Sequence, residues 1–216
     1  MATKRSLKGK RALVTCGPTW VAIDDVRVIS NHSTGEQGHL IAGHLIKEGA
    51  KVTLLEGPVT HIVKLKAARI IKFQFFDELT TLLQEEVKEN YDMIVHAAAV
   101  SDYAPNQPYK SKLSSAFSNL KIDLIPTPKL INAIKKTSPG SFLVGFKLES
   151  NANEEFLRVK VGHLMRAANC DLVVANSSSK NNYQGLIFDR DKNVVAKTST
   201  RQGTAKALVA AIKERL

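Results

Sequence analysis

Three stretches of the chain carry residues with chemical potential. The first is C-G-P-T-W-V-A-I-D-D-V-R-V-I-S-N-H-S-T-G over residues 16–35. An amide such as Asn31 can orient a carbonyl or an oxyanion, and the imidazole of His32 can move protons near neutral pH. Arg27 offers a guanidinium that fits carboxylate or phosphate in two-point contact. Asp24 and Asp25, as neighbouring acids in a loop, are expected to lie exposed. Ser33 or Thr34 is expected to cap a helix, with Gly35 and Gly38 allowing an anion close to unpaired backbone N–H groups. A plain capped helix with tightly packed glycines accounts for the same letters. The spacing fits neither G-x-G-x-x-G nor G-x-x-x-x-G-K-[ST], which removes most support for nicotinamide-cofactor and P-loop chemistry.

The second stretch is H-A-A-A-V-S-D-Y over 96–103, followed by K-L-S-S over 112–115. Ala98 and Ala99 leave room for a flat ligand, or simply form a small-residue packing layer. Asp102 is placed to hold a magnesium ion carried by phosphates, or to cap a turn. Lys110 and Lys112 are flexible point charges suited to a polyphosphate, and Lys129 falls in the same neighbourhood. A third loop is expected at 147–153.

These loops need a scaffold, and the apolar pattern supplies one. Short β-branched runs at 11–16, 51–56, 69–75, 92–97, 142–147 and 171–175 alternate with helical spacing at 35–49, 77–90, 153–168 and a closing segment around 205–216. A further strand is expected at 120–125 and a helix at 126–136 with Pro128 in its first turn. The fold class is α/β: a doubly wound, mostly parallel Rossmann-like sheet. Residues 185–189 and 193–198 form a small antiparallel C-terminal hairpin. In such sheets ligands bind beyond the carboxyl ends of the strands, so the loops at 17–35, 98–118 and 147–153 are expected to converge.

The 216 residues are 44% hydrophobic and 24% charged, as in globular domains, and suit one domain over 11–216 preceded by a flexible basic tail over 1–10. Two cysteines form no disulfide framework and no Cys/His cluster has metal spacing. No signal-like or membrane-spanning run is present, so a cytoplasmic protein with no membrane association is expected. The net charge of +11 points to anionic partners. Residues 1–12 hold five bases and no acid, and residues 103–136 hold six lysines against Asp123. A nucleic-acid-binding module and a Rossmann-like oxidoreductase or flavin-associated protein are the rival readings. Binding of nucleic acid is expected to be weak and tail-dependent rather than specific.

G-P-T at 17–19, I-S-N-H-S-T-G at 29–35, A-A-V-S-D-Y at 98–103, K-L-S-S at 112–115, T-P-K at 127–129, G-F-K at 145–147 and D-L-V-V-A-N at 171–176 come in the order of one known family. The chain resembles the phosphopantothenoylcysteine synthetases, more closely the monofunctional bacterial branch than the domain fused to a flavin-dependent decarboxylase. The resemblance implies a ligase of coenzyme A biosynthesis. The carboxylate of 4′-phosphopantothenate attacks the α-phosphate of a nucleotide, CTP in most bacterial members and ATP in eukaryotic ones, and pyrophosphate leaves. The amine of L-cysteine then displaces the nucleotide.

By motif, the resemblance makes Lys112 the stabiliser of phosphate charge in the first step and Asn31 the residue that positions the acyl intermediate, with Arg27 bracing its loop. Asp102, Phe146 and Lys160 would contact nucleotide or its magnesium, with Thr127, Pro128 and Lys129 beside it. Asn31, Ala98 and Ala99 would line the phosphopantothenate site. The family works as a homodimer. This chain departs from it where fused relatives carry K-N-P-D and it has Pro126 to Lys129. A second helical lysine has only His163 and Arg166 as substitutes, and Ser177 follows Asn176 where A-N-D is common.

Overall fold

Apolar runs at the expected places become the strands of one sheet. The computed structural model describes residues 6–60, 63–116, 118–150, 152–179 and 182–216. In chain order the elements are β1 (Arg11–Cys16), β2 (Trp20–Ala22), β3 (Val28–Ser30), α1 (Glu36–Lys47), β4 (Lys51–Glu56), β5 (Ala68–Lys72), α2 (Phe76–Glu86), β6 (Met93–His96), β7 (Tyr103–Pro105) and β8 (Leu124–Pro126). There follow α3 (Ile131–Thr137), β9 (Phe142–Glu149), α4 (Glu154–Ala168), β10 (Leu172–Ser179), β11 (Asn182–Phe188), β12 (Val194–Thr198) and α5 (Arg201–Lys213).

The sheet runs β12-β11-β10-β9-β6-β1-β4-β5. Its six strands from β5 to β10 are parallel, and β11 and β12 are antiparallel. The order reverses between β1 and β6, because the chain winds first outward through β4 and β5 and then back to the other side. That is the doubly wound arrangement, and it opens a crevice beyond Cys16 and His96. The C-terminal hairpin does not stand apart. It extends the same sheet to eight strands, leaving β5 and β12 as its margins.

Side chains alternate between two cores. Leu13 and Ile94 face α2, α3 and α4 through Leu79, Leu83, Ile134, Leu157 and Val161. Ala12, Val14 and Val95 face α1 and α5 through Ile41, Leu45, Leu208 and Ile212. Each fully buried Leu or Ile contributes about 1.5–3 kcal/mol relative to exposure. Cys16 and Cys170 lie in opposite cores as free thiols. Burial raises both, Cys170 to about 12.

Several expectations are corrected. The basic tail does not reach residue 10. Leu7 is 1% exposed and packs with Ile41 and Leu45 in one core. Gly9 N–H donates to the Gly49 carbonyl at 3.2 Å, and Lys10 Nζ meets Asp92 at 2.8 Å. Residues 1–5 lie outside the described set.

The cap of α1 is Gly35, at φ +77°, and neither Ser33 nor Thr34. Those two hydroxyls accept instead from the N–H groups of Gly35 and Glu36, both at 3.3 Å. α3 starts at Ile131, so Thr127 and Pro128 remain outside it, because Pro126 and Thr127 are held by the 101–103 segment: Pro126 pairs with Tyr103, and Thr127 N–H donates to the Asp102 carbonyl at 2.9 Å.

β2, β3 and β7 have no counterpart in the expected elements, while the strand expected at 120–125 is reduced to β8 at Leu124–Pro126, which pairs with β7 in a ribbon apart from the main sheet. Asp24, expected to be exposed, is only 4% exposed within the β2–β3 turn. Among the described residues no helix is long and apolar enough to cross a membrane.

Candidate active site

The crevice at the switch point is a cavity of about 1020 Å³, lined by the 31–38 and 96–102 segments, by 127–132, and by residues of β9, α4, β10, β11 and α5. Its floor is the continuation of β1 and β6 past the sheet. Ala97 N–H donates to the Thr15 carbonyl at 3.2 Å and Ala99 N–H to Gly17 at 2.8 Å. Thr15 Oγ1 accepts from Ala98 N–H at 3.1 Å and pairs with His96 Nδ1 at 3.1 Å. With both hands of this threonine occupied, the alanine run is held close to the backbone and Ala98 and Ala99 face the cavity. Ala98 also packs against one of the two cores, so the alanine run both packs and lines the cavity.

His96 is buried, 7% exposed at the cavity wall, and desolvation lowers its pKa to about 4. It is therefore a neutral imidazole at physiological pH. It was not among the expected site residues, because a histidine closing an apolar strand carries no signal in the sequence beyond its place at the sheet's end.

The cavity's front edge is a connected hydrogen-bond chain. Thr19 Oγ1 accepts from Ser101 N–H at 2.9 Å, Thr127 Oγ1 donates to the Ser101 carbonyl at 2.6 Å, and Asn31 Nδ2 donates to the Val100 carbonyl at 2.9 Å. This chain ties the first loop, the post-β6 loop and the 127–129 segment into one rim. Asp102 and Lys129 form an exposed ion pair across that rim.

On the far wall, Phe146 comes from β9 and Lys160 from α4, its Nζ 5.0 Å from the Phe156 ring. His163 is also in the lining; Arg166 is not, although it bonds His163. Tyr183 and Arg201 join the lining from β11 and α5, with the guanidinium 5.2 Å from the phenol ring. They too went unanticipated, since they belong to the antiparallel extension that brings the last helix next to α1.

The first turn of α1 enters the cavity through Glu36, Gln37 and Gly38. Gly38 is there of necessity: a Cβ at this position would sit 2.3 Å from Cys16 Cβ. Behind it, the buried His39 links the Gly35 carbonyl through Nδ1, at 3.1 Å, to Glu56 Oε2 through Nε2, at 2.7 Å. The loop–helix junction is thus fixed from below by β4.

Of the expected site residues, Asn31, Ala98, Ala99, Asp102, Thr127, Pro128, Lys129, Phe146 and Lys160 come together around one cavity. Lys112 and Arg27 are not in its lining. Lys112 is exposed. Arg27 Nη1 donates to Asp24 Oδ2, at 2.5 Å, and to the Leu113 carbonyl at 3.3 Å.

Residues 7–216 match the DNA/pantothenate metabolism flavoprotein C-terminal domain. The chain belongs to this family. Among curated members, the coenzyme A biosynthesis bifunctional protein CoaBC of Thermococcus kodakarensis is 39% identical over 176 residues, 80% of this chain and 42% of that one. CoaBC of Bacillus subtilis is 31% identical over 193 residues, 89% of this chain and 46% of that one. The chain thus spans less than half the length of these curated relatives.

The DNA/pantothenate metabolism flavoprotein from Streptococcus pneumoniae superposes with a TM-score of 0.85 at 27% identity, covering 96% of this chain and 100% of that one. A Cab2 H337A complex with phosphopantothenate-cysteine shares the fold at a TM-score of 0.76 and 17% identity, over 95% of this chain and 86% of that one. The flavoprotein C-terminal domain family therefore accounts for the Rossmann-like architecture and for nearly the whole chain.

Proposed function

We propose that this domain is a phosphopantothenate–cysteine ligase that joins 4′-phosphopantothenate to L-cysteine through an acyl nucleotide in coenzyme A biosynthesis, with CTP as the co-substrate. The observation that carries this reading is the gathering of nine motif residues from five separate segments around one cavity at the switch point of the sheet. Membership of a family whose curated relatives are CoaBC proteins supports it.

The reaction needs charge stabilisation and alignment more than a covalent nucleophile, and the cavity is built for both. Lys129 and Lys160 bring positive charge to two sides of the cavity, where a triphosphate and a phosphorylated acid would lie together. The N–H groups of the first turn of α1 add an anion-seeking surface. Asn31, docked on Val100, is held where it can orient an acyl group as cysteine attacks. Phe146 and the Thr127–Pro128 turn offer flat and small surfaces to a base.

Magnesium fits as a companion of the nucleotide. Asp102 supplies one exposed carboxylate, and among the described residues no group of three or more His, Cys, Asp or Glu side chains is arranged as a protein cage. Such an ion takes one or two carboxylates plus phosphate oxygens, and it would neutralise charge on the phosphates.

The domain acts as a homodimer in the cytoplasm. The β7–β8 ribbon leaves Tyr103, Leu124 and Ile125 exposed, and Val26 and Val28 are exposed on the β2–β3 ribbon, an apolar surface suited to a second copy.

The test is turnover of 4′-phosphopantothenate and L-cysteine with magnesium and each of CTP, ATP, GTP and UTP. CTP is expected to give pyrophosphate and phosphopantothenoylcysteine at the highest kcat/KM. Lys112→Gln suppresses pyrophosphate release, whereas Asn31→Ala slows amide formation more than activation. Equal small effects on both steps refute these roles, and no pyrophosphate with any nucleotide refutes the reaction.

A further inference from the structure

The β2–β3 turn contains an acid that no motif assigned to the reaction. The side chain of Asp24 is fully shielded from solvent while that of Arg27 is partly exposed. Asp24 Oδ1 accepts from the backbone N–H groups of Val26, at 2.9 Å, and Arg27, at 2.7 Å. Its Oδ2 accepts from Arg27 Nη1 at 2.5 Å and, across a sequence gap of 89 residues, from the N–H of Leu113 at 3.0 Å.

Arg27 Nη1 closes the figure by donating to the carbonyl of Leu113 at 3.3 Å. The peptide groups of Leu113 are therefore held by side chains in the way a neighbouring strand would hold them. A second tie lies four residues earlier, where Tyr109 N–H donates to the Ile23 carbonyl at 2.9 Å.

Lys112 lies between these two ties. The described part of the 106–123 segment contains no helix or strand, so little else in its own conformation sets the place of Lys112. Asn31, on the other hand, follows β3 immediately and is docked on the cavity rim. One short ribbon thus carries Asn31 at its exit and holds the Lys112 loop at its turn.

We infer that Asp24, acting with Arg27, is a positioning residue that sets the Lys112 loop in register with the Asn31 loop. This rests on the reading of Lys112 as the group that stabilises phosphate charge. The carboxylate touches no substrate. It fixes the main chain beside Lys112 and leaves the long exposed side chain free to reach a bound polyphosphate. A buried carboxylate with four donors is suited to this, because charge-assisted hydrogen bonds are stronger than neutral ones and hold geometry.

Asp24→Asn keeps the size and removes the charge. Two readouts test it. The first, independent of activity, is hydrogen exchange of the 109–116 segment, expected to accelerate about tenfold or more as one charge-assisted bond is weakened while β1 and β6 amides stay protected. The second is kinetic: pyrophosphate release is expected to fall by up to about 100-fold, as displacements near 1 Å can produce. The loss should appear in kcat, and adding Lys112→Gln should cause little further loss.

Unchanged exchange at 109–116, or multiplicative losses in the double variant, would overturn the inference. If Asp24→Asn does not fold, Leu113→Pro deletes the same hydrogen bond from the donor side and is read the same way. If the wild-type domain releases no pyrophosphate, the ligase reading falls, while the exchange measurement still decides whether Asp24 holds the loop.

Discussion

Two glycines in α1 should answer the same substitution with opposite signs. A Cβ on Gly38 would lie 2.3 Å from Cys16 Cβ and 3.3 Å from Cys16 Cα. Carbon atoms in contact prefer about 3.5–4.0 Å, so the first turn of α1 would have to retreat by about 1 Å from β1. A Cβ on Gly43 would meet only Leu65 Cδ2, at an ordinary 3.6 Å. In a helix, alanine is favoured over glycine by about 1 kcal/mol, and this gain is common to both sites.

Overpacking at a rigid core contact costs about 1–3 kcal/mol. Gly43→Ala should therefore stabilise by up to about 1 kcal/mol and Gly38→Ala should destabilise by up to about 2 kcal/mol, a spread of roughly 2 kcal/mol between two single methyl groups. For a chain of this size that spread corresponds to about 4–8 °C in Tm. Thermal and urea denaturation of both variants reads it directly. Equal Tm values for the two, or a higher Tm for Gly38→Ala, would show that β1 and α1 are not packed as tightly as described. Because the displaced turn lines the cavity, Gly38→Ala should also lose ligase activity by about 100-fold, with Gly43→Ala unaffected.

His96 gives a pH signature. Its folded pKa of about 4 lies below the ordinary 6.5 of a solvated histidine. The unfolded chain thus binds the extra proton first, and stability falls as pH drops from about 6.5 to about 4, by roughly 3 kcal/mol. Urea midpoints measured across that range should show the slope, and His96→Gln should flatten it; an unaltered slope would assign the acid sensitivity elsewhere. Leu7→Ala should cost about 2–5 kcal/mol, as large-to-small changes in a core do, and a loss under 0.5 kcal/mol in a denaturant titration would return residue 7 to a loose tail.

The sequence reveals the elements whose apolar periodicity is set by burial on both faces. β1 and β4 have their expected ends because R-A-L-V-T-C and K-V-T-L-L-E are continuous core strands. α4 begins after Asn153, whose side chain accepts from Phe156 N–H, a cap readable from residue type. The β2–β3 ribbon and β7 were not legible because three-residue strands are too short to show alternation, and their partners are set by tertiary contacts such as those of Asp24; the strand expected at 120–125 survives only as β8.

Leu7 was hidden by the bases around it, since one apolar side chain forms no pattern. Nine of the residues that motif order singled out line one cavity. The absence of Lys112 and Arg27 from the lining was not legible, because spacing along the chain says nothing about which way a loop side chain turns.

The margins of the sheet bear on how copies of the domain can meet. β5 ends the sheet on one side with Arg69 and Lys72 along it, and β12 ends it on the other with Lys197. Open margins of this kind invite strand-to-strand growth unless something opposes it, and lysine and arginine are effective opponents. Two molecules approaching margin to margin would have to strip water from these bases and from the ion pairs of Arg69 with Glu86 and Lys197 with Glu154. Growth into fibrils is discouraged at its first step.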